Sequence, residues 1–307
     1  MFDFRYHIVS LAAVFIALAV GILVGAAISG KLGDAESAFS RDRIDALNNQ
    51  LKLERAKTQS VERRGAAASR LVEAAYPALM DGRLAGKNYA VVFVGPVQGE
   101  LRSAIDRTLS DAGAGSPVRL IAVDTPVDPT ALDSALEGQS DLAHFAQSGG
   151  DFGALGETLG AELIEGAGTP SWSALSSELV QERSGSTSAP VDGAIVIRSW
   201  TPTSDGSASQ NGETQATESL LEGILTGLDK TGLPVVGIET STSSDSAIDV
   251  YRSEGVSSVD DVDTAAGRLA LAILLAGGPD GHYGLKDSAS DGIVPTIEAV
   301  TTTTTSG

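Results

Sequence analysis

The chain contains no cysteine among its 307 residues. This absence excludes disulfide bonds, thiolate metal ligands and a cysteine nucleophile. Other metal ligands are scarce too, since the sequence has only 3 His and 2 Met. The G-x-S-x-G pattern of serine hydrolases and the H-E-x-x-H pattern of zinc proteases do not occur. We therefore expect a protein that is not an enzyme and that has no catalytic or metal-ligating residues of its own.

Positive charge is scarce in most of the chain, and the formal net charge is −19. Residues 1–80 carry 10 Lys/Arg against 8 Asp/Glu, whereas residues 81–307 carry 11 against 32. An excess of carboxylates repels phosphate backbones. We therefore expect no nucleic-acid partner for the second part of the chain.

A long uncharged stretch opens the chain. Ile8–Ile28 is 21 residues without a formal charge. At about 1.5 Å per residue, such a helix spans roughly 30 Å, the thickness of a bilayer's hydrocarbon core. The apolar core of an export signal is usually shorter, although Val24 and Ala26 also fit the small-residue positions of a cleavage site. The pattern predicts a transmembrane anchor over residues 1–30, with a removable signal as the alternative.

Small side chains recur at every fourth residue of this predicted helix, which places them along one face. In lipid, such a face allows two helices to approach closely and to associate. The alternative is that Gly and Ala are simply frequent in membrane helices. The predicted helix-packing residues are Ala13, Ala17, Gly21, Gly25 and Ser29.

A second helix, over Asp34–Leu79, is predicted by its composition and by the absence of proline before Pro77. It forms a stalk over residues 31–80. A heptad frame through this stalk indicates either a weak coiled coil or a single amphipathic helix packed on the next domain. Its middle is basic, and this basic face is either solvated or contacts an acidic partner. The predicted partner-binding residues are Ile44, Leu47, Leu51, Arg63 and Arg64.

The remainder of the chain indicates an α/β domain over residues 87–286. YAVVFVG at 89–95 is a short apolar run typical of a strand that is buried on both faces. Further strands are predicted at 117–124, 192–200, 233–241 and 247–251. Strands that alternate with helices predict a mostly parallel sheet flanked by helices. We also expect residues 130–180 to be mainly helical.

Two stretches have low complexity. Residues 201–219 are polar and lack aromatic side chains, which predicts a mobile loop between a strand and a helix starting near residue 218. The segment 287–307 ends in TTTTTSG and is predicted to be a disordered tail.

Two local patterns have weak functional content. GPVQG at 95–99 lies between a strand and a helix, where α/β folds bind ligands, but it lacks the further residues of nucleotide-binding motifs. A tight structural turn is the alternative interpretation. Asp260, Asp261 and Asp263 favour the N-terminus of a helix through its dipole rather than a calcium site.

GGPDGHYGLK at 277–286 is the most distinctive local sequence. A glycine here ends the preceding helix, and Pro279 prevents its continuation. The turn then either packs His282 and Tyr283 against the sheet or presents them as a recognition or ligand surface. The residues of this turn are Gly278, Pro279, Asp280, Gly281, His282, Tyr283 and Gly284.

The opening RYHIVSLAAVFIALAVGILVGAAIS and the closing LALAILLAGGPDGHYGLK together resemble the actinobacterial MctB family of copper transporters. The resemblance covers most of the chain. It implies an association with copper homeostasis, and copper is considered as a ligand only because of it. Copper favours thiolate, thioether and imidazole ligands, which this sequence hardly offers.

The sequence is also similar to SteB, a cell-separation protein. That similarity implies a SteA-like membrane protein as partner, and a coiled-coil peptidoglycan hydrolase under their control. It also implies a cytoplasmic N-terminus and an extracytoplasmic C-terminal domain in the cell membrane. We therefore expect a single-pass interaction scaffold of the cell envelope that forms a homo-oligomer or a hetero-complex. The alternatives are a component of copper efflux, or a binder of a cell-wall ligand through the loops around Gly95 and His282.

Overall fold

A computed structural model describes residues 4–146, 150–165, 168–202 and 208–297, with the side chains of residues 4–8, 28–42 and 45 excepted. The helices are α1 (Phe4–Met80), α2 (Gly99–Asp111), α3 (Pro129–Glu137), α4 (Phe152–Glu165), α5 (Pro170–Ala174), α6 (Ser176–Leu179), α7 (Ala208–Asp229), α8 (Ile248–Ser253) and α9 (Ala265–Leu275). A 3-10 helix spans Ala143–Ala146. The strands are β1 (Tyr89–Val94), β2 (Arg119–Val123), β3 (Val180–Gly185), β4 (Gly193–Arg198), β5 (Val235–Ile238), β6 (Ser257–Val259) and β7 (His282–Tyr283).

The strands form one sheet in the order β3-β2-β1-β4-β5-β6-β7. All neighbours pair in parallel except β2 and β3, which are antiparallel. The predicted fold class, a mostly parallel sheet flanked by helices, is confirmed. Counted in chain order, the parallel strands β2-β1-β4-β5-β6 have the 2-1-3-4-5 order of flavodoxin-like folds.

Both faces of the sheet are covered by helices, as the residues of β1 show. Ala90, Val92 and Val94 belong to a core that α3, α4 and α7 complete. Their neighbours Val91 and Phe93 belong to a second core that α2 and α9 complete. A strand with two buried faces has no solvent side, which is why YAVVFV is apolar at every position.

The short strands and helices of the second half differ from the prediction. The predicted strand at 247–251 lies mostly in helix α8, and the strand β6 follows it at Ser257–Val259. The antiparallel strand β3 was not predicted, because its exposed polar sequence VQERSG at an edge of the sheet lacks the apolar run of a buried strand.

Two segments predicted to lack structure are partly ordered. Helix α7 begins at Ala208, so only part of the predicted loop at 201–219 remains, and residues 203–207 lie outside the described residues. The first turns of α7 are polar and carry no apolar stripe, so the sequence pattern did not predict a helix there. Residues 287–297 of the predicted tail contact the folded part: Asp291 accepts a hydrogen bond from the backbone N–H of His282, and Val294 packs against the core. Residues 298–307 lie outside the described part of the chain.

The chain divides into two compact units, residues 1–68 and 69–307. In the second unit, the end of α1 contributes Tyr76 and Met80 to the core that also contains Leu84 and Tyr89. The folded α/β unit therefore includes the last turns of the predicted stalk and starts before residue 87.

Candidate functional site

Acidic side chains follow two neighbouring strands of the α/β unit. Glu239 comes directly after β5, and Asp260, Asp261 and Asp263 follow β6. Parallel strands bring their carboxyl ends to one edge of the sheet, which is where α/β folds place ligands. Glu239, Asp260 and Asp261 are buried. A buried carboxylate needs a hydrogen-bonding or charged partner, so the contacts of each one indicate its role.

Asp260 is fully buried and holds the segment that follows β7. Its Oδ1 accepts a hydrogen bond from the backbone N–H of Leu285 at 2.8 Å, and its Oδ2 accepts one from that of Lys286 at 3.2 Å. The backbone of Gly284 passes so close that a Cβ there would lie 1.9 Å from Asp260 Oδ1. Glycine is therefore required at this position, and Asp260 fixes a loop rather than facing a ligand.

Glu239 forms an ion pair with Lys286 that joins the same segment to β5. The Lys286 Nζ lies 2.6 Å from Glu239 Oε1, and the two side chains are 19% and 7% exposed. Lys286 also donates a hydrogen bond to the carbonyl oxygen of Ser243 at 3.0 Å. The second carboxylate oxygen of Glu239 accepts from the backbone N–H of Ala247 at 2.9 Å. Both charges are thus compensated within the unit.

Asp261 lies in surroundings that disfavour the ionisation of its carboxyl group. Burial, with the charges of Asp260 and Asp263 as smaller causes, raises its pKa to about 6 against a hydrogen bond from Thr264 that lowers it. The Thr264 hydroxyl donates to Asp261 Oδ2 at 2.9 Å. The other oxygen, Oδ1, has no hydrogen-bond partner among the described residues. Thr264 also caps α9, since its Oγ1 accepts from the backbone N–H of Gly267.

His282 lies in the edge strand β7 with one ring nitrogen occupied. Its Nδ1 lies 2.9 Å from the hydroxyl oxygen of Ser258, which is itself fully buried. Burial, and next the positive charge of Arg252, lower the pKa of His282. The ring remains partly exposed.

The start of the turn GGPDGHYG ends helix α9 in a Schellman motif. Gly277 adopts a left-handed φ of 86° and donates to the carbonyl oxygen of Leu274, while Gly278 donates to that of Ile273. The Asp280 carboxylate accepts a hydrogen bond from the Ser257 hydroxyl at 3.0 Å.

The turn then continues into the two-residue strand β7. Tyr283 is 6% exposed, and its hydroxyl donates to the carbonyl oxygen of Pro279 at 3.2 Å. The backbone carbonyl of Gly281 accepts from the N–H of Ser258. Of the two interpretations of this sequence, packing against the sheet holds for Tyr283. The side chain of His282, in contrast, stays partly accessible.

The described residues do not fit copper as a directly ligated substrate. Met80 is fully buried in an apolar core. His144 lies in the 3-10 helix that follows α3, and His282 lies in the edge strand β7. Among the residues that the structure describes, no group of three or more His, Cys, Asp or Glu is arranged to hold a metal ion. His7 lies outside the described side chains.

The GPVQG loop forms a tight turn at the point where the strand order reverses. Gly95 has a φ of 115°, and a Cβ there would lie 2.8 Å from the backbone nitrogen of Trp200. Ser199 donates from its backbone N–H to the carbonyl oxygen of Val94 at 3.0 Å. The loop after β4 thus packs directly on the loop after β1, and these residues favour the structural interpretation over a ligand cleft.

Helix α1 contains the predicted membrane segment. Val9–Ala27 is 19 residues long with a mean hydropathy of 2.6, and none of it is buried within the chain. Within the described residues, it is the helix whose length and composition suit a membrane crossing. Four of the five predicted packing residues lie exposed in this segment, namely Ala13, Ala17, Gly21 and Gly25. Ser29 belongs to α1, but its side chain lies outside the described part.

The predicted stalk residues are also on α1 and exposed. Ile44, Leu47 and Leu51 are 56%, 59% and 48% exposed. Arg63 and Arg64 are exposed, and Arg63 contacts the side-chain oxygen of Gln59 at 3.4 Å. These side chains belong to the first compact unit, whereas the turn at β7 belongs to the second.

Sequence reasoning missed the Glu239–Lys286 ion pair as the link between β5 and the segment after β7. A signal was present, since Glu239 is a carboxylate inside the buried strand predicted at 233–241. A carboxylate at such a position requires a cation or several N–H donors. Nothing in the sequence identified Lys286 as the partner.

The comparisons with known proteins agree with the apolar first helix. A family profile described as "Copper transport outer membrane protein, MctB" matches residues 1–294. A search of curated proteins gives no match. The matched range includes the apolar segment Val9–Ala27, all of the sheet and the turn at β7. The chain belongs to the MctB family of copper-related membrane proteins.

Proposed function

We propose that this chain is a non-enzymatic scaffold, anchored by α1 in the cell membrane, that binds other proteins outside the cytoplasm. The observation that carries the proposal is the apolar row on α1. Ile44, Leu47 and Leu51 are each about half exposed, and so is Val61 at 61%. Burying one such side chain stabilises an assembly by about 1.5–3 kcal/mol. A helix that keeps these residues in water loses that free energy, which favours a helical partner.

The basic face of α1 supports a second contact. Arg63 and Arg64 are exposed on the same helix, and the described side chains around them supply no carboxylate ion pair. A partner with an acidic surface would complement this face. Resemblance to SteB supports a SteA-like membrane protein and a coiled-coil peptidoglycan hydrolase as partners, with cell separation as the process.

The proposed topology places the N-terminus in the cytoplasm and the α/β unit outside. The charges beside the span do not decide this orientation, because Arg5 precedes it and Lys31, Arg41 and Arg43 follow it. The family resemblance supports the extracytoplasmic orientation. The absence of cysteine is compatible with an oxidising compartment.

A second candidate is a role as a component of copper efflux. The family description favours it. The described residues offer copper little beyond the exposed ring of His144 and the partly exposed ring of His282. In this proposal, other proteins or further copies supply the missing ligands.

One genetic experiment separates the two candidates. The gene is deleted, cell-associated copper is measured over a copper gradient, and cell separation is scored in the same cultures. The scaffold proposal expects unseparated cells with normal copper. Excess copper with normal separation would overturn it in favour of copper efflux.

Complementation of the deletion strain then tests which surface of α1 is needed for cell separation. The full-length double variant Arg63→Glu/Arg64→Glu is expected to leave cells unseparated, because it reverses the charge that faces the partner. Lys52→Glu is the matched control on the same helix and should restore separation. Full rescue by the double variant would contradict the role of the basic face. Normal cell-associated copper in cells complemented with His282→Ala would argue against direct copper ligation at β7.

A further inference from the structure

The heptad frame of α1 places charges beside its apolar row. With Ile44 at position a and Leu47 at position d, Lys57 falls at g and Glu62 falls at e. In parallel coiled coils, residues at g and e of two helices form ion pairs that set partner and orientation. Both side chains are exposed on α1 and therefore available to another chain.

These charges favour one particular arrangement. If a second copy packs in parallel and in register, Lys57 of each chain faces Glu62 of the other. An antiparallel arrangement would instead bring the g positions together. Those positions include Arg43, Lys57 and Arg64, so that arrangement would be repulsive.

Two polar residues, Glu54 and Thr58, interrupt the apolar row. Glu54 occupies a d position, and Arg55 occupies the adjacent e position. In a parallel, in-register pair the two Glu54 carboxylates face each other, and Arg55 of each partner lies beside them and offsets part of their repulsion. Thr58, at position a, donates its hydroxyl to the carbonyl oxygen of Glu54 at 3.0 Å within the helix. Polar residues in such a seam fix the register at a cost in stability.

We infer that the first partner of α1 is a second copy of this chain, packed parallel and in register through Ile44, Leu47 and Leu51. The inference rests on the proposed scaffold function and names its first contact. Arg63 falls at the outer f position of the heptad, so self-association leaves it available for the acidic partner.

Disulfide trapping tests the register directly, because the natural chain has no cysteine. Leu47→Cys in the full chain, oxidised in membranes, is expected to form a disulfide-linked dimer, since a disulfide needs Cβ atoms about 4 Å apart. Ala68→Cys, also at d, tests the same register without removing a leucine. Asn49→Cys, on the outer face, is the control and should stay monomeric. No dimer from either d position, or equal trapping at Asn49→Cys, would overturn the inference.

A charge exchange tests the orientation. Lys57→Glu and Glu62→Lys alone each place like charges across the pair and should raise the dissociation constant of the full chain in detergent about tenfold. An equimolar mixture should regain wild-type affinity, because every g–e contact then joins opposite charges. A mixture no tighter than either variant alone would exclude the parallel, in-register pair.

The two proposals can fail separately. A chain that stays monomeric while Arg63→Glu/Arg64→Glu still prevents complementation refutes the dimer and keeps the scaffold. Dimers trapped through Leu47→Cys, together with full complementation by every α1 variant, would keep the dimer and refute the scaffold.

Discussion

Individual buried charges in this protein hold loops against the sheet. Arg119 at the start of β2 is 1% exposed and donates hydrogen bonds to the backbone carbonyls of Leu163, Ser186, Thr187 and Ala189. Burial lowers its pKa. A guanidinium has enough donors for this set, and its planar fork fixes several carbonyls at once. Toward the opposite edge of the sheet, the Asp260 carboxylate accepts hydrogen bonds from backbone N–H groups and holds a loop in the same way.

Replacing Asp260 with alanine should destabilise the α/β unit. The change leaves the backbone N–H groups of Leu285 and Lys286 without their acceptor. Hydrogen bonds to a charged group contribute about 1.5–3 kcal/mol each, so we expect a loss of about 3 kcal/mol in the free energy of unfolding. Urea unfolding measures it, and the exposed Asp287→Ala is the control. Equal stability of the two variants would contradict the role assigned to Asp260.

Asp261 should make the protein less stable as the pH rises. Its pKa is about 6 in the folded state and 3.8 ordinarily, so the folded state binds the proton more tightly between these values. Stability is therefore lost from about pH 4 to about pH 6 and stays lower above that. A shift of about 2 units corresponds to roughly 3 kcal/mol at most. Asp261→Asn cannot ionise and should gain stability relative to the wild type over this pH interval. An unchanged difference between pH 4 and 7 in urea unfolding would refute it.

At the scale of elements, helices α4 and α7 pack with their backbones in close contact. Glycines on both helices let the backbones meet. A Cβ on Gly223 would lie 2.1 Å from the carbonyl oxygen of Gly153, and one on Gly227 would lie 2.1 Å from that of Glu157. Backbone atoms cannot give way as a flexible side chain can, so any larger residue must push the helices apart.

The variant Gly223→Ala should therefore destabilise the α/β unit although alanine favours helices. We expect a loss of about 3 kcal/mol from overpacking. Gly212→Ala on the same helix is the matched control, since nothing lies within 4 Å of a Cβ there. That control should gain up to about 1 kcal/mol in helix propensity. The difference in thermal unfolding between the two variants checks the claim, and a Gly223→Ala protein as stable as the control would disprove it.

The elements that could be predicted from the sequence are those whose burial requires a clear pattern of apolar residues. The strand at 89–95 and the parallel sheet were predicted because a strand with two buried faces is apolar throughout. The edge strands β3 and β7 were not predicted, because few residues of an edge strand need to be apolar. The first turns of α7 were not predicted either, because few of their residues need to be apolar. The contacts of Asp260 and Lys286 could not be predicted, because they join segments that only the tertiary fold brings together.

At the scale of the whole molecule, charge and apolarity are divided between the two parts. The apolar segment Val9–Ala27 and a basic helix precede an α/β unit in which acidic residues far outnumber basic ones. Such a negatively charged unit repels both nucleic acids and the anionic surface of a membrane. Contacts with other proteins through α1 are consistent with this division.

The proposed topology predicts which part of the chain reagents can reach from outside the cell. Ser110→Cys, at an exposed position near the end of α2, should react with a membrane-impermeant maleimide in intact cells. Asp3→Cys, ahead of the span, should react only after the membrane is permeabilised. Neither variant has a competing thiol, because the natural chain contains no cysteine. Labelling of Asp3→Cys but not Ser110→Cys in intact cells would reverse the topology. Since an envelope partner could then not reach the α/β unit, that result would also remove the basis for an extracytoplasmic scaffold.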